Sequence, residues 1–143
     1  IMVTQSKAQR EIKFRIWQND KAVKRMILPK DMVEYVELCF IPRADNTMRA
    51  AFLVDDGKVA PQRFFLMQFT GLHDKNGVQI WEGDIVRGYC TGNYPAVIEC
   101  DAPNGGYNIR ELDEDGEYQD IDSNTIIEVI GNIYENPELL GVK

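Results

Sequence analysis

Histidine and cysteine supply the most specific chemistry available to this chain, and both are scarce. His73 is the only histidine, and the three cysteines are Cys39, Cys90 and Cys100. A zinc site needs about four such ligands, usually in closely spaced pairs, and no two of these residues have that spacing. Histidine is also the commonest general base, but no serine or thiol nucleophile stands beside His73 in the sequence. We therefore predict no catalytic residue, no metal ion and no cofactor, and we interpret His73 as a solvated loop residue.

The odd number of cysteines leaves at least one thiol free and fits a reducing compartment. Cys90 and Cys100 flank a turn-like stretch at residues 91–93, where a hairpin would bring them face to face, but a free cysteine more often behaves as a small buried apolar residue. The chain shows no secretory signal and no apolar run of the roughly 18 residues that a membrane span needs. We expect a cytoplasmic protein with no membrane partner.

Two stretches imitate ligand-binding loops. An acidic run begins at Glu111, with Gly116 at the sixth position and Asp122 at the twelfth. A calcium-binding loop needs a longer glutamate at the twelfth position and a helix on each side, so the strand-like flanks here favour a charged hairpin tip. Residues 104–106 read Asn-Gly-Gly and lack the Lys-Ser/Thr pair of a phosphate-binding loop, so they predict a turn.

Charge is distributed unevenly along the chain, whose formal net charge is -7. Residues 1–30 contain eight basic and two acidic side chains, whereas residues 99–143 contain two basic and twelve acidic side chains. Such polarity would allow the two ends to pair with each other or with a neighbouring copy. The interpretation that we favour is that both are ordinary solvated surfaces.

Short strands separated by turn residues predict a mainly β fold. Polar and apolar residues alternate over 10–17, which predicts an opening strand with Ile12, Phe14 and Ile16 facing the core. Further strands are predicted over residues 25–28, 50–54, 63–70, 84–86, 96–100, 107–112 and 126–134. Residues 31–41 are ambiguous, and we favour a short helix that runs into a strand. Near the end, Asn136 and Pro137 predict an N-capped helical turn over residues 137–140.

Three segments carry a family resemblance in their order, their residue sequences and their spacing. They are residues 10–17 (REIKFRIW), residues 66–77 with 80–86 (LMQFTGLHDKNG and IWEGDIV), and residues 129–140 (VIGNIYENPELL). Together they resemble the YopX family of bacteriophage and prophage proteins, although this chain has extra N-terminal residues. The resemblance implies a C-terminal small β-barrel of the SH3 type, a homo-oligomer, and no established activity.

The predicted organisation follows from these observations. Residues 1–9 are an N-terminal tail, residues 10–62 a smaller strand-rich α+β lobe, and residues 63–143 an SH3-like β-barrel that ends in a short helical turn. Within the central segment, turn chemistry accounts for the Thr, Gly, Asn and Asp residues: Asn76-Gly77 closes a turn, Gly83 permits a bend, and Asp84 binds local amides.

The absence of a catalytic constellation favours a non-enzymatic interaction module that binds itself or an unidentified phage or host protein. The alternative is an accessory nucleic-acid-binding protein whose basic face is formed by Lys13, Arg15, Lys24 and Arg25, with Lys13 and Arg15 on the exposed side of the first strand. The acidity of the C-terminal third opposes phosphate binding. An enzyme of unknown type is the third hypothesis, and a deep pocket with convergent polar groups would indicate it.

Overall fold

The computed structural model describes residues 11–19, 24–30, 37–42, 44, 48–53, 64–101, 103–112, 116–122 and 124–141, with the backbone alone at 37–42, 48–53 and 64. These residues form a mainly β protein with two short 3₁₀ turns, Tyr89–Thr91 and Pro137–Gly141. The strands are β1 Phe14–Asn19, β2 Lys24–Ile27, β3 Glu37–Pro42, β4 Met48–Leu53, β5 Phe64–His73, β6 Gln79–Trp81, β7 Asp84–Gly88, β8 Ala96–Asp101, β9 Gly106–Glu111, β10 Tyr118–Asp120 and β11 Ile127–Asn132.

Contacts divide the chain into two compact units. The first unit is Lys13–Gln68, and the second unit is Phe69–Lys143 with Ile1–Ile12. The boundary falls within strand β5: residues 64–68 belong to the first unit and residues 69–73 to the second. No helix in the part of the chain that the structure describes is long and apolar enough to cross a membrane.

In the first unit, β1 lies between β2 and the beginning of β5, and both pairings are antiparallel. Ile16 and Trp17 point to opposite faces of this inner strand, and both are buried. Ile27 of β2 and Met67 of β5 are buried as well. Strands β3 and β4 form a separate antiparallel pair. The prediction that Ile12 faces the core was wrong, since it precedes β1 and is 67% exposed.

In the second unit, five antiparallel strands form a sheet in the order β10-β9-β8-β7-β11, and the end of β5 pairs with β6. Alternate residues of these strands point to one side and pack into a single apolar core, as the two-residue period of a strand requires. The fully buried members of this core are Ile80, Val86, Ala96, Ile98, Ile109 and Ile127. Strands β6, β7, β8, β9 and β11 all contribute to it.

Most of the strand predictions are confirmed, with end points that shift by up to four residues. The Asn-Gly-Gly turn is confirmed as well: Gly105 has φ +71° and donates its backbone N–H to the Asp101 carbonyl at 2.8 Å, which closes the β8–β9 hairpin. The acidic run leads from β9 into β10, so its flanks are strands. Strand β10 itself was not predicted, and the helix predicted from residue 31 lies outside the described residues.

The final 3₁₀ turn confirms the predicted helical turn but not its cap. The side-chain oxygen of Asn136 accepts the backbone N–H of Asn132, at 3.3 Å, and so points back to the preceding strand. Gly131 makes room for this side chain, because a Cβ atom there would lie 2.5 Å from Asn136 Oδ1 and 2.9 Å from Asn136 Cβ. The segment Gly131–Pro137 is therefore a packed turn that fixes the end of β11.

We expect Gly131→Ala to lower the free energy of unfolding by about 1–3 kcal/mol, because the added methyl overpacks this turn. Urea denaturation measures the effect. Gly106→Ala is the matched control, since a Cβ atom there meets nothing within 4 Å and no positive φ is required. In an Asn136→Gly background the cost of Gly131→Ala should fall, and equal costs in both backgrounds would contradict the proposed contact.

Candidate functional site

Asp74 adjoins His73 in the sequence but does not form a catalytic pair with it. Its carboxylate accepts three backbone N–H groups: Oδ1 accepts those of Asn76 at 2.8 Å and Val78 at 2.9 Å, and Oδ2 accepts that of Val129 at 3.0 Å. The His73 side chain is exposed and lies edge-on to the ring of Phe69. Both oxygens of the Asp74 carboxylate are thus engaged in hydrogen bonds that stabilise the fold.

Electrostatics at Asp74 agree with its geometry. Burial raises the pKa of this carboxyl, but the amide donors of Val129, Val78 and Asn76, with Lys75 nearby, outweigh burial and hold the pKa below its usual value. The charged form is therefore the one that the folded protein stabilises.

Asp84, in the same central segment, is also a structural residue. It is 1% exposed, and its Oδ2 accepts the backbone N–H of Trp81 at 2.8 Å. Gly83 between them has φ +82°, a conformation that favours glycine, and its N–H donates to the Ile98 carbonyl at 2.8 Å. Thr70 contributes to the same region, since its hydroxyl donates to the Ile80 carbonyl at 2.7 Å. The predicted architectural role of these residues is confirmed.

The four basic residues predicted as a binding face lie in the first unit but do not share one face. In the β1–β2 pair, Gln18 lies opposite Arg25, and Arg25 Nε donates to Gln18 Oε1 at 2.9 Å. Lys24 is the next residue of β2, so its side chain points to the opposite face. The strand arrangement therefore separates the two exposed bases of β2.

Lys13 and Arg15 were expected on an exposed side of the first strand, and this was wrong. Both residues are half-buried. Arg15 shares its face of β1 with the buried Trp17, because residues two apart in a strand point the same way. A strand with neighbours on both sides and buried residues on both faces offers no solvated basic stripe.

A loop that the sequence analysis treated as a simple turn presents two exposed tyrosines. We call residues 88–94 the tyrosine loop, in which Tyr89 is 92% and Tyr94 is 61% exposed. The buried hydroxyl of Thr91 holds the loop: it donates to the Tyr94 carbonyl at 2.8 Å and accepts the Gly88 N–H at 3.1 Å. Ile126, 70% exposed, lies beside it, since a Cβ atom at Gly88 would be 2.5 Å from the Ile126 carbonyl oxygen.

Cys90, in the same loop, is not a candidate nucleophile. Burial and the nearby Glu111 raise the pKa of its thiol, so it stays protonated near neutral pH. Its carbonyl accepts Gln119 Nε2 at 2.8 Å, which ties the tyrosine loop to β10. Cys90 and Cys100 do not form a disulfide bond with each other, which is the alternative that the sequence favoured. The side chain of Cys39 lies outside the described residues.

Acidic charge dominates the second unit. Residues 69–143 contain fifteen acidic and four basic side chains. Three of these bases pair with acids: Lys75 and Arg87 reach Glu128 at 3.2 and 4.0 Å, and Arg110 reaches Glu99 at 2.7 Å. In the described ranges no three His, Cys, Asp or Glu side chains cluster in a way that could hold a metal ion. The unit thus offers an acidic surface with exposed aromatic residues.

Comparison with known proteins gives a family and a similar fold. The family model described as YopX protein matches residues 13–141 of the chain. The crystal structure of protein EF1440 from Enterococcus faecalis is similar at 25% sequence identity and a TM-score of 0.52, with 92% of this chain and 99% of that chain covered. No curated protein is similar enough to count as a match.

We expect Asp74→Asn to lower the free energy of unfolding by about 1–3 kcal/mol at pH 7, because the new amide group faces the Val129 N–H in place of an acceptor. The Asp74 pKa is lowered in the folded state, so its contribution is present above the unfolded value of about 4 and is lost as pH falls through the folded value. The gap between the variant and the original protein should therefore narrow below about pH 4.

Denaturation curves from pH 7 down to about pH 3 measure this gap, and the exposed Glu138→Gln is the control. A gap that is the same at every pH would show that the Asp74 charge does not support the fold.

Proposed function

Because this chain belongs to the YopX family, we propose that it is a non-enzymatic, self-associating interaction module, encoded by a phage or prophage and acting in the bacterial cytoplasm. The observation that carries the proposal is the division of charge between the two units. Residues 69–143 of the second unit have fifteen acids and four bases, whereas residues 13–68 have ten bases and seven acids. Opposite net charges on two units of one chain favour contact between copies.

The polar residues support a module without chemistry of its own. Asp74, Asp84 and Thr70 make hydrogen bonds to the backbone of their own unit, and the Cys90 thiol is held protonated. Enzymes instead direct such groups into a cleft, towards a substrate. The exposed residues of the second unit include three tyrosines, Tyr89, Tyr94 and Tyr118, which suits protein recognition, since tyrosine is enriched at protein interfaces.

We also propose that the second unit is a small barrel of the SH3 type. The antiparallel five-stranded sheet and the core shared by β6, β7, β8, β9 and β11 support this, because a curled sheet encloses one core in that way. A crystal structure of the second unit that shows which strands close the sheet would test it.

Self-association should be visible by sedimentation equilibrium at tens of micromolar protein. We expect an oligomer at about 0.15 M salt that weakens several-fold at about 0.5 M, because salt screens attraction between exposed charges. A monomer at both salt concentrations would contradict the proposed function. An oligomer that is indifferent to salt would show that apolar contacts hold it instead.

Nucleic-acid binding is the competing function, and the same preparation tests it. We expect no rise in fluorescence anisotropy of single- or double-stranded DNA probes at about 0.15 M salt, because the acidic unit repels phosphates and the bases of β2 point to opposite faces. Saturable binding whose affinity falls steeply with salt would instead favour the nucleic-acid hypothesis.

A further inference from the structure

The outer edge of β10 is built to accept another strand. The backbone N–H of Glu111 donates to the Glu117 carbonyl at 2.9 Å, and the β9–β10 register pairs alternate residues in the same way. In an antiparallel pair the residues between these point their backbone N–H and C=O groups the other way. Tyr118 and Asp120 therefore direct theirs away from β9, and among the described strands β10 has β9 as its only neighbour.

The opposite edge of the same sheet is already covered. Strand β11 gives its Val129 N–H to the Asp74 carboxylate at 3.0 Å, and its Ile127 carbonyl accepts the Lys75 N–H at 3.0 Å. These groups occupy the positions that an added strand would use. Of the two edges of the five-stranded sheet, the β10 edge is the one that the described residues leave uncovered for a partner.

Strand β10 is held in place by its own unit. Gln119 Nε2 donates to the Cys90 carbonyl at 2.8 Å and also to the Glu111 carboxylate. Its side chain points to the inner face, so Tyr118 and Asp120 lie on the outer face, where Tyr118 is 60% exposed. The edge is therefore preorganised, which lowers the entropic cost of adding a strand.

Charge selects what this edge can accept. Asp120 lies on the outer face of β10 and Glu117 on the inner side of the sheet, so an incoming strand meets an exposed acid on either face. Like charges placed opposite each other destabilise strand pairing, so β10 disfavours a second β10. The partner strand that fits is one with a basic side chain on each face.

This chain contains such a strand. Strand β2 is the edge of its sheet among the described strands, and it is similar in length to β10, with four residues against three. Its exposed bases Lys24 and Arg25 point to opposite faces. Because Lys24 and Arg25 lie on opposite faces of β2, they do not form one basic face for nucleic acid. The same placement lets each of them meet an acid on one face of β10.

We propose that β10 of one copy pairs with β2 of a second copy, which makes a head-to-tail contact; this inference rests on the proposed self-association. The contact joins two different surfaces, so it builds a ring if the rotation closes and a filament if it does not. Main-chain hydrogen bonds supply the attraction, and the charges on the two faces determine the choice of strand.

The first test distinguishes the contribution of the β10 backbone N–H to association from that of the Asp120 charge. Asp120→Pro removes the outward N–H and leaves the residues bonded to β9 intact, whereas Asp120→Asn removes the charge and keeps the N–H. We expect Asp120→Asn to weaken association a few-fold and Asp120→Pro to weaken it about tenfold or more by sedimentation equilibrium. Unchanged melting temperatures would show that both variants keep the fold.

If the original protein associates and Asp120→Pro associates equally well, the β10 edge is not the contact and the proposed function stands without it. If the original protein is a monomer, the proposed function fails first. The two failures are therefore distinguishable from one series of measurements.

A charge-reversal pair gives an independent test that does not depend on proline. Asp120→Lys and Lys24→Glu should each weaken self-association, because each places like charges across the contact. Mixing the two variants should restore association to within a few-fold of the original protein, since each then finds an opposite charge. Variants that stay monomeric when mixed would overturn the pairing of β10 with β2.

Discussion

One buried carboxylate connects the most distant parts of the second unit. Asp74 accepts two amides of its own turn and the N–H of Val129, which lies 55 residues later in the chain. A single side chain thereby closes the turn between β5 and β6 and covers the outer edge of β11. Hydrogen bonds to a charged acceptor are among the stronger ones in proteins, and a buried carboxylate without them would be costly. These hydrogen bonds attach β11 to the turn that follows β5.

Other polar side chains in the family-specific segments also form hydrogen bonds to the backbone. Asp84 binds the Trp81 amide, the Thr70 hydroxyl bonds across to β6, and Asn136 packs on Gly131 to bond Asn132. Each group satisfies backbone donors or acceptors that irregular chain would otherwise leave unpaired. The Thr, Asn and Asp residues of these segments are thus the means by which a strand-rich chain makes tight turns. On the surface of the described residues, the second unit presents acidic charge, exposed tyrosines and the edge of β10.

Much of the mainly β fold could be predicted from the sequence, because the sequence patterns that indicate strands and turns are local. Two-residue alternation, Asn-Gly and Asn-Gly-Gly turns, and the Asn-Pro-Glu sequence before the last turn all act over a few residues, and the structure contains strands and turns at those places. Strand β10 was missed because three residues next to an acidic run carry no apolar alternation. Its strand conformation comes from pairing with β9 and from the contact of Gln119 with Cys90, which lies 29 residues earlier. The exposed tyrosines were missed for the same reason, since exposure is decided by neighbours distant in sequence.

The sequence by itself determined the family, the mainly β character, the turn chemistry and the uneven charge, because composition and short-range backbone preference are written in consecutive residues. Tertiary structure decided which carboxylates are buried and hydrogen-bonded, why Arg15 is half-buried within the inner strand β1, and which edge of the five-stranded sheet has no further neighbour among the described strands. These properties depend on which strands become neighbours. That choice balances apolar burial against hydrogen bonds between residues far apart in the chain, and no local pattern records it.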